Sequence, residues 1–77
     1  MALNNLGYVY ALQGQFAEAM EHYQRAIALD PDYEQALLNI AALYLQEGKK
    51  TDARQILQRI IKINPENTKA AQILTTI

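Results

Sequence analysis

The sequence predicts an all-α chain of stacked helix pairs, and three observations predict it. First, the chain nearly repeats itself at a spacing of 34 residues. Ala2, Leu3, Asn5, Tyr10, Gly14, Ala19, Gln24, Arg25, Ile27 and Pro31 return as Ala36, Leu37, Asn39, Tyr44, Gly48, Ala53, Gln58, Arg59, Ile61 and Pro65. Ordinary residue frequencies would give about two such identities over this stretch. Second, apolar residues inside each period recur at three- and four-residue spacings, the mark of a helix with one buried face. Third, each period is punctuated twice, by a glycine and by an Asp-Pro or Asn-Pro pair. A fixed period of this length means supersecondary units that bury their apolar faces only by stacking.

Each element follows in order. In the first helix, expected over 2–13, Leu3, Leu6 and Tyr10 form a stripe that Val9 widens. Gly14 ends it, because glycine takes positive φ at little cost. The second helix, 16–29, carries Phe16, Ala19, Met20, Tyr23 and Ile27 on one face and Glu18, Glu21, His22, Gln24 and Arg25 on the other. Glu21 and Arg25 are spaced for an i, i+4 ion pair. Asp30-Pro31 closes the unit, since the residue before proline is pushed out of the α region. Asp32 is expected to cap the third helix, 33–46, with Gln35 completing a capping-box pattern. The stripe Leu37, Ile40, Ala41 and Tyr44 then ends at Gly48. The fourth helix, 50–63, carries Ala53, Ile56, Leu57, Ile60 and Ile61 and closes at Asn64-Pro65. A fifth, 67–76, places Ala70, Ala71 and Leu74 where Ala36, Leu37 and Ile40 stood one period earlier. The expected core is Leu3, Leu6, Tyr10, Ala19, Tyr23, Ala26, Leu37, Ile40, Tyr44, Ala53, Leu57 and Leu74.

Seventy-seven residues, 51% hydrophobic and 19% charged, make one small globular domain without cysteine, disulfide or thiolate metal site. Neither a signal peptide nor an apolar run approaching the ~20 residues of a membrane span is visible, which fits a cytoplasmic protein. The net charge of −1 is unevenly placed. Up to Glu47 six acids face Arg25 alone; from Gly48 onward six cations face Asp52 and Glu66.

At these positions the chain resembles the tetratricopeptide repeat, whose pattern places a large residue, Leu-Gly and Tyr in a first helix and Gly at the turn. Ala, an aromatic and Ala follow in the second helix, and Pro closes the unit. The first unit carries it as Leu3, Leu6-Gly7, Tyr10, Gly14, Ala19, Tyr23, Ala26 and Pro31. The second carries Leu37, Ile40-Ala41, Tyr44, Gly48, Ala53, Leu57 and Pro65. Gly7/Ala41 and Ala19/Ala53 let paired helices approach closely. In the second unit Ile60 replaces a small residue and Lys50 replaces Phe16, so a wider crossing and a less well anchored turn are expected. The resemblance implies a right-handed α-solenoid of five helices in antiparallel pairs, a single domain over 1–77. Its repeats would span 1–33 and 34–67, with a terminal helix over 68–77.

No residue set in the sequence points to catalysis, a cofactor or a metal. The three glycines are isolated and form no phosphate loop. His22 is the only histidine and lies opposite its helix's apolar stripe, as an ordinary surface residue. Lys49, Lys50, Arg54, Arg59 and Lys62 lack interleaved aromatics, which argues against nucleic acid as a partner. The chain therefore reads as a protein-interaction module rather than an enzyme.

In the family it resembles, first helices line a concave groove that holds peptides. Carried over residue by residue, that groove is Asn4, Asn5, Tyr8 and Leu12, then Gln35, Leu38, Asn39, Ala42 and Leu45, then Lys69, Gln72 and Ile73. Tyr8 and Asn39 are the expected anchors: a tyrosine buries a large area at low entropy cost, and an amide both donates and accepts. Some family members grip a C-terminal carboxylate with Lys and Asn, then Asn, then Lys and Arg. Here Asn39 and Lys69 match, while Asn4, Tyr8 and Ile73 do not. The alternative reading is a structural or self-assembling repeat segment. Ile73 and Ile77 would lie uncovered beside the stripe of the last helix and favour a homo-oligomer, head to tail between oppositely charged halves.

Overall fold

The computed structural model describes the backbone from Ala2 to Ile77 and side chains from Asn5 onward. It holds five helices, α1 (Ala2–Leu12), α2 (Phe16–Leu29), α3 (Glu34–Gln46), α4 (Lys50–Ile63) and α5 (Thr68–Thr76). There is no strand among the described residues. Every bound lies within one residue of its expectation. The core position expected at Leu3 and the groove position at Asn4 lie outside the described side chains.

The 34-residue period is written into the backbone. Gly14 has φ 78° and Gly48 φ 75°, and each ends its helix in the same pair of bonds. The Gly14 amide donates to the Ala11 carbonyl at 3.0 Å and the Gln15 amide to that of Tyr10 at 2.9 Å. One period later Gly48 donates to Leu45 at 3.1 Å and Lys49 to Tyr44 at 2.8 Å. This is a Schellman ending, which satisfies carbonyls that the last helical turn leaves open. The second turn matches the first closely: Gln15 has φ −90° and ψ 73°, and Lys49 has φ −91° and ψ 69°. Exchanging Phe16 for Lys50 therefore does not change the turn, contrary to expectation. The backbone bonds that form it involve neither side chain.

At the helix starts, Asp32 does not cap α3. Its N-cap is Tyr33, which makes no side-chain cap bond. Tyr33 corresponds to Asn67, whose Oδ1 accepts from the Ala70 amide at 3.0 Å and caps α5. The turn at Pro31 and Asp32 is closed by the Tyr33 amide donating to the Asp30 carbonyl at 3.1 Å, which leaves Asp32 one residue short of the N-cap. Glu21 and Arg25 do not pair either; the ion pair among the described residues joins Lys49 Nζ to Glu47 at 3.7 Å.

Each helix packs on its neighbours in the chain, and α1 also packs on α3. One core cluster joins Ala19 and Tyr23 of α2 to Ile40 and Leu43 of α3, with Phe16, Ile27 and Ile56 around it. The other joins Leu37 and Ala41 to Leu57, Ile60 and Ala70. Gly7 is buried where α1 crosses α2: a Cβ there would stand 2.6 Å from the Tyr23 ring. Ala41, Ile60 and Ala70 join the core from the expected stripes, and Ala36 and Leu43 join it although they stood on none.

Several expected core positions fall short. Leu6 is exposed, because Ile40 is covered by α2 and nothing among the described residues stands in that relation to Leu6. Tyr10, Tyr44 and Leu74 are half-buried, and Ala71 is exposed. In α5 the expected and observed faces differ. Ile73, Leu74 and Ile77 pack against the second cluster, while Ala71, Gln72, Thr75 and Thr76 face solvent. Ile73 and Ile77 are thus half-buried rather than uncovered, and the outer face of α5 is small and polar.

Candidate functional site

The contact of α1 with α3, and the placement of α5 beyond α3, bring the first helices of successive pairs onto one face. Two adjoining hollows open there. The first, of about 170 Å³, is lined by Tyr8, Ala11, Leu12, Phe16, Tyr23, Asn39, Ala42, Leu43 and Gln46. The second, of about 370 Å³, is lined by Gln35, Leu38, Asn39, Ala42, Lys69, Gln72 and Ile73. They meet at Asn39 and Ala42, so together they run across α1, α3 and α5.

Nine of the twelve residues expected in the groove line one hollow or the other. Asn5 is exposed but lines neither, and Leu45 is half-buried away from both. Asn4 lies outside the described side chains. Ala11, Phe16, Tyr23, Leu43 and Gln46 were not expected. Gln46 was within reach, since it stands one period after Leu12. Phe16 and Tyr23 were read as part of the apolar face of the second helix, and α2 meets the first hollow with them.

The two hollows differ in chemistry. The first is aromatic and aliphatic, and Tyr23, with its hydroxyl, is part of its lining. Burial pushes the pKa of that hydroxyl up, and the neighbouring Tyr8 adds to the effect, so it stays protonated. The second sets three amides, Gln35, Asn39 and Gln72, over Leu38, Ala42 and Ile73, with Lys69 as its cation. Gln35 Nε2 donates to Asn39 Oδ1 at 3.3 Å, one helical turn apart. Polar groups that orient and apolar groups that fill are the ingredients of a site for a peptide segment.

The basic side of the molecule is partly committed within the chain. Arg59 Nη2 donates to the Pro31 carbonyl at 2.9 Å and Arg54 Nη2 to the Ile77 carbonyl at 3.3 Å. His22 is half-buried rather than a plain surface residue. Its Nδ1–H donates to the Glu18 carbonyl at 2.8 Å, and its ring lies 5.0 Å from that of Tyr10. No group of three His, Cys, Asp or Glu side chains among the described residues is arranged to hold a metal ion. No helix among them is long and apolar enough to cross a membrane.

Known proteins share this pattern. A 36-residue stretch, 47% of this chain, is 44% identical to the human antiviral innate immune response effector IFIT1, and covers 8% of that protein's length. The sequence pattern of the tetratricopeptide repeat matches residues 10–77, which takes in the last three residues of α1, all of α2 to α5, the second hollow and all of the first but Tyr8. Together with five helices whose glycine turns recur 34 residues apart, the match makes this chain a member of the tetratricopeptide repeat family.

Proposed function

We propose that the chain is a protein-interaction module that holds an extended or helical partner segment along the α1–α3–α5 face. Tetratricopeptide repeats generally mediate protein–protein contacts and are generally not catalytic. The observation that carries the finer reading is the continuity of the two hollows through Asn39 and Ala42. A segment crossing that ridge places an apolar side chain among Tyr8, Leu12, Phe16 and Leu43. Its backbone then passes the amides of Asn39 and Gln35 towards Lys69. Tyr8 supplies area and Asn39 supplies both a donor and an acceptor, so these two dominate the binding energy.

A displayed library of random peptides selected on the full chain supplies the probe. Replacing Tyr8 and Asn39 together by alanine is expected to weaken the selected peptide's binding at least tenfold while leaving helicity unchanged. Undiminished affinity, or chemical-shift changes confined to α2 and α4, would place the site elsewhere.

A further inference from the structure

A third hollow, of about 550 Å³, opens along α4 and is lined by Gln55, Gln58, Arg59 and Lys62. It shares no lining residue with the two hollows on the α1–α3–α5 face. Its four residues are all exposed and stand three and four apart, which puts them on one side of the helix. Packing does not demand them. The inward side of α4 keeps the repeat, with Ala53 for Ala19 and Ile61 for Ile27, whereas the outward side changes its charge. Gln55 stands where α2 has Glu21, and Lys62 where it has Ala28. Arg59 therefore has no carboxylate one turn before it. Its Nη2 donates to the Pro31 carbonyl at 2.9 Å, which ties one end of the guanidinium to the backbone between the units and leaves its other donors for a ligand. Lys62 belongs to no ion pair among the described residues.

We propose that this outward side of α4 binds a short acidic segment of a partner protein. Carboxylates of the segment take charge-assisted bonds from Arg59 and Lys62, and the amides of Gln55 and Gln58 bond its backbone. Charge complementarity selects the occupant, because two cations and two amides line the hollow and no acid does. Nucleic acid fits less well. No aromatic side chain lines the hollow for a base to stack on. Asp30 and Asp32 flank the carbonyl that anchors Arg59, and they repel a long polyanion where a short acidic run stops before them. A second copy of this chain also fits less well. Its exposed acids on α2, Glu18 and Glu21, have Arg25 between them on the same side of the helix. The surface is separate from the groove, so one module can hold two segments at once.

The test titrates the full chain with an octaglutamate peptide at low salt and follows chemical shifts. Changes are expected to gather on Gln55, Gln58, Arg59 and Lys62, with affinity falling as salt rises. Lys62→Gln should weaken binding about fivefold, and Arg59→Gln with Lys62→Gln about tenfold or more. Lys62 is exposed, so its single variant tests the site even where the double variant, which loses the bond to Pro31, melts early. Lys50→Gln removes a cation of the same helix that does not line the hollow, and should leave affinity within about twofold. Equal losses in Lys50→Gln and Lys62→Gln would reveal general charge attraction and overturn the proposal. So would absence of binding at millimolar peptide, or shifts centred on Lys69. Tighter binding of a single-stranded oligonucleotide of equal charge overturns it in favour of nucleic acid. Shifts at the same residues that grow with protein concentration alone overturn it in favour of a second copy. Tyr8→Ala with Asn39→Ala should leave octaglutamate binding unchanged, so the two surfaces stand or fall separately.

Discussion

At Gly7 there is no room for a single methyl group. A Cβ would meet the Tyr23 ring carbons at 2.6 and 2.7 Å and the Ala19 carbonyl oxygen at 3.1 Å. Tyr23 is itself fully buried, so its ring has nowhere to retreat. Gly7→Ala is therefore expected to cost about 1–3 kcal/mol as overpacking, read from denaturant unfolding. Truncating the obstructing ring as well, in Gly7→Ala with Tyr23→Leu, should cost less than the sum of the two single changes. Strict additivity would mean that the two residues do not meet. The need for a small residue at position 7 was legible in the repeat pattern, whereas the depth of its neighbours was not. Tyr44 recurs in register with Tyr10 and reads as core, but both are half-buried, since a tyrosine at the seam of two helices keeps one edge in solvent. Leu57 is fully buried instead. Leu57→Ala should cost about 2–5 kcal/mol, and Tyr44→Ala, which opens less of a cavity, should cost less. Equal losses would show that the exposed edge of Tyr44 carries no information.

Helix ends show where local sequence suffices and where it fails. Gly14 and Gly48 announce the turns because only glycine takes that φ freely, and the turn bonds lie wholly in the backbone. The cap of α3 was misread because capping depends on which residue the turn after the proline delivers to the N-cap. There the turn delivers Tyr33 once and Asn67 once. Asn67 also ties two units together. Its Nδ2 donates to Glu34 Oε1 at 2.8 Å, beside Asn64 Nδ2 at 3.0 Å. These two amides, Asn67 first, lower the Glu34 pKa below the ordinary carboxylate range. The folded state then binds this proton less tightly than the unfolded state. The contribution is present above the ordinary carboxylate range and is lost as pH falls through the lowered folded-state value. Acid unfolding of Glu34→Gln should lack this component, while Asn67→Ala should cost about 0.5–2 kcal/mol from the lost cap alone at neutral pH. An acid-unfolding profile identical in Glu34→Gln and parent would remove Glu34 from the account.

Over the whole molecule, stability is a chain of neighbour contacts, because each helix touches mainly the next and the pair repeats. The face that carries the two hollows was legible at this scale only through the family resemblance, which sets first helices side by side. What lies beyond each end was not legible, which is why Leu6 and the outer face of α5 were misjudged. The last helix shows the consequence. Ala70 is fully buried against Leu37, Ala41, Leu57 and Ile60, and Ile73, Leu74 and Ile77 close over the same cluster. A chain ending at Asn67 would open that cluster to water and leave the second unit without the helix that covers it. We expect it to lose its cooperative melt, with amide protection disappearing first in α4, which sheds its cover, and last in α2, which keeps contacts on both sides. Ala70→Asp in the full-length chain should act in the same order and more weakly, because it buries a carboxylate at one crossing without removing the helix. Protection lost first in α1–α2 by either variant would show that α5 stabilises the molecule by some route other than its seat on the second unit.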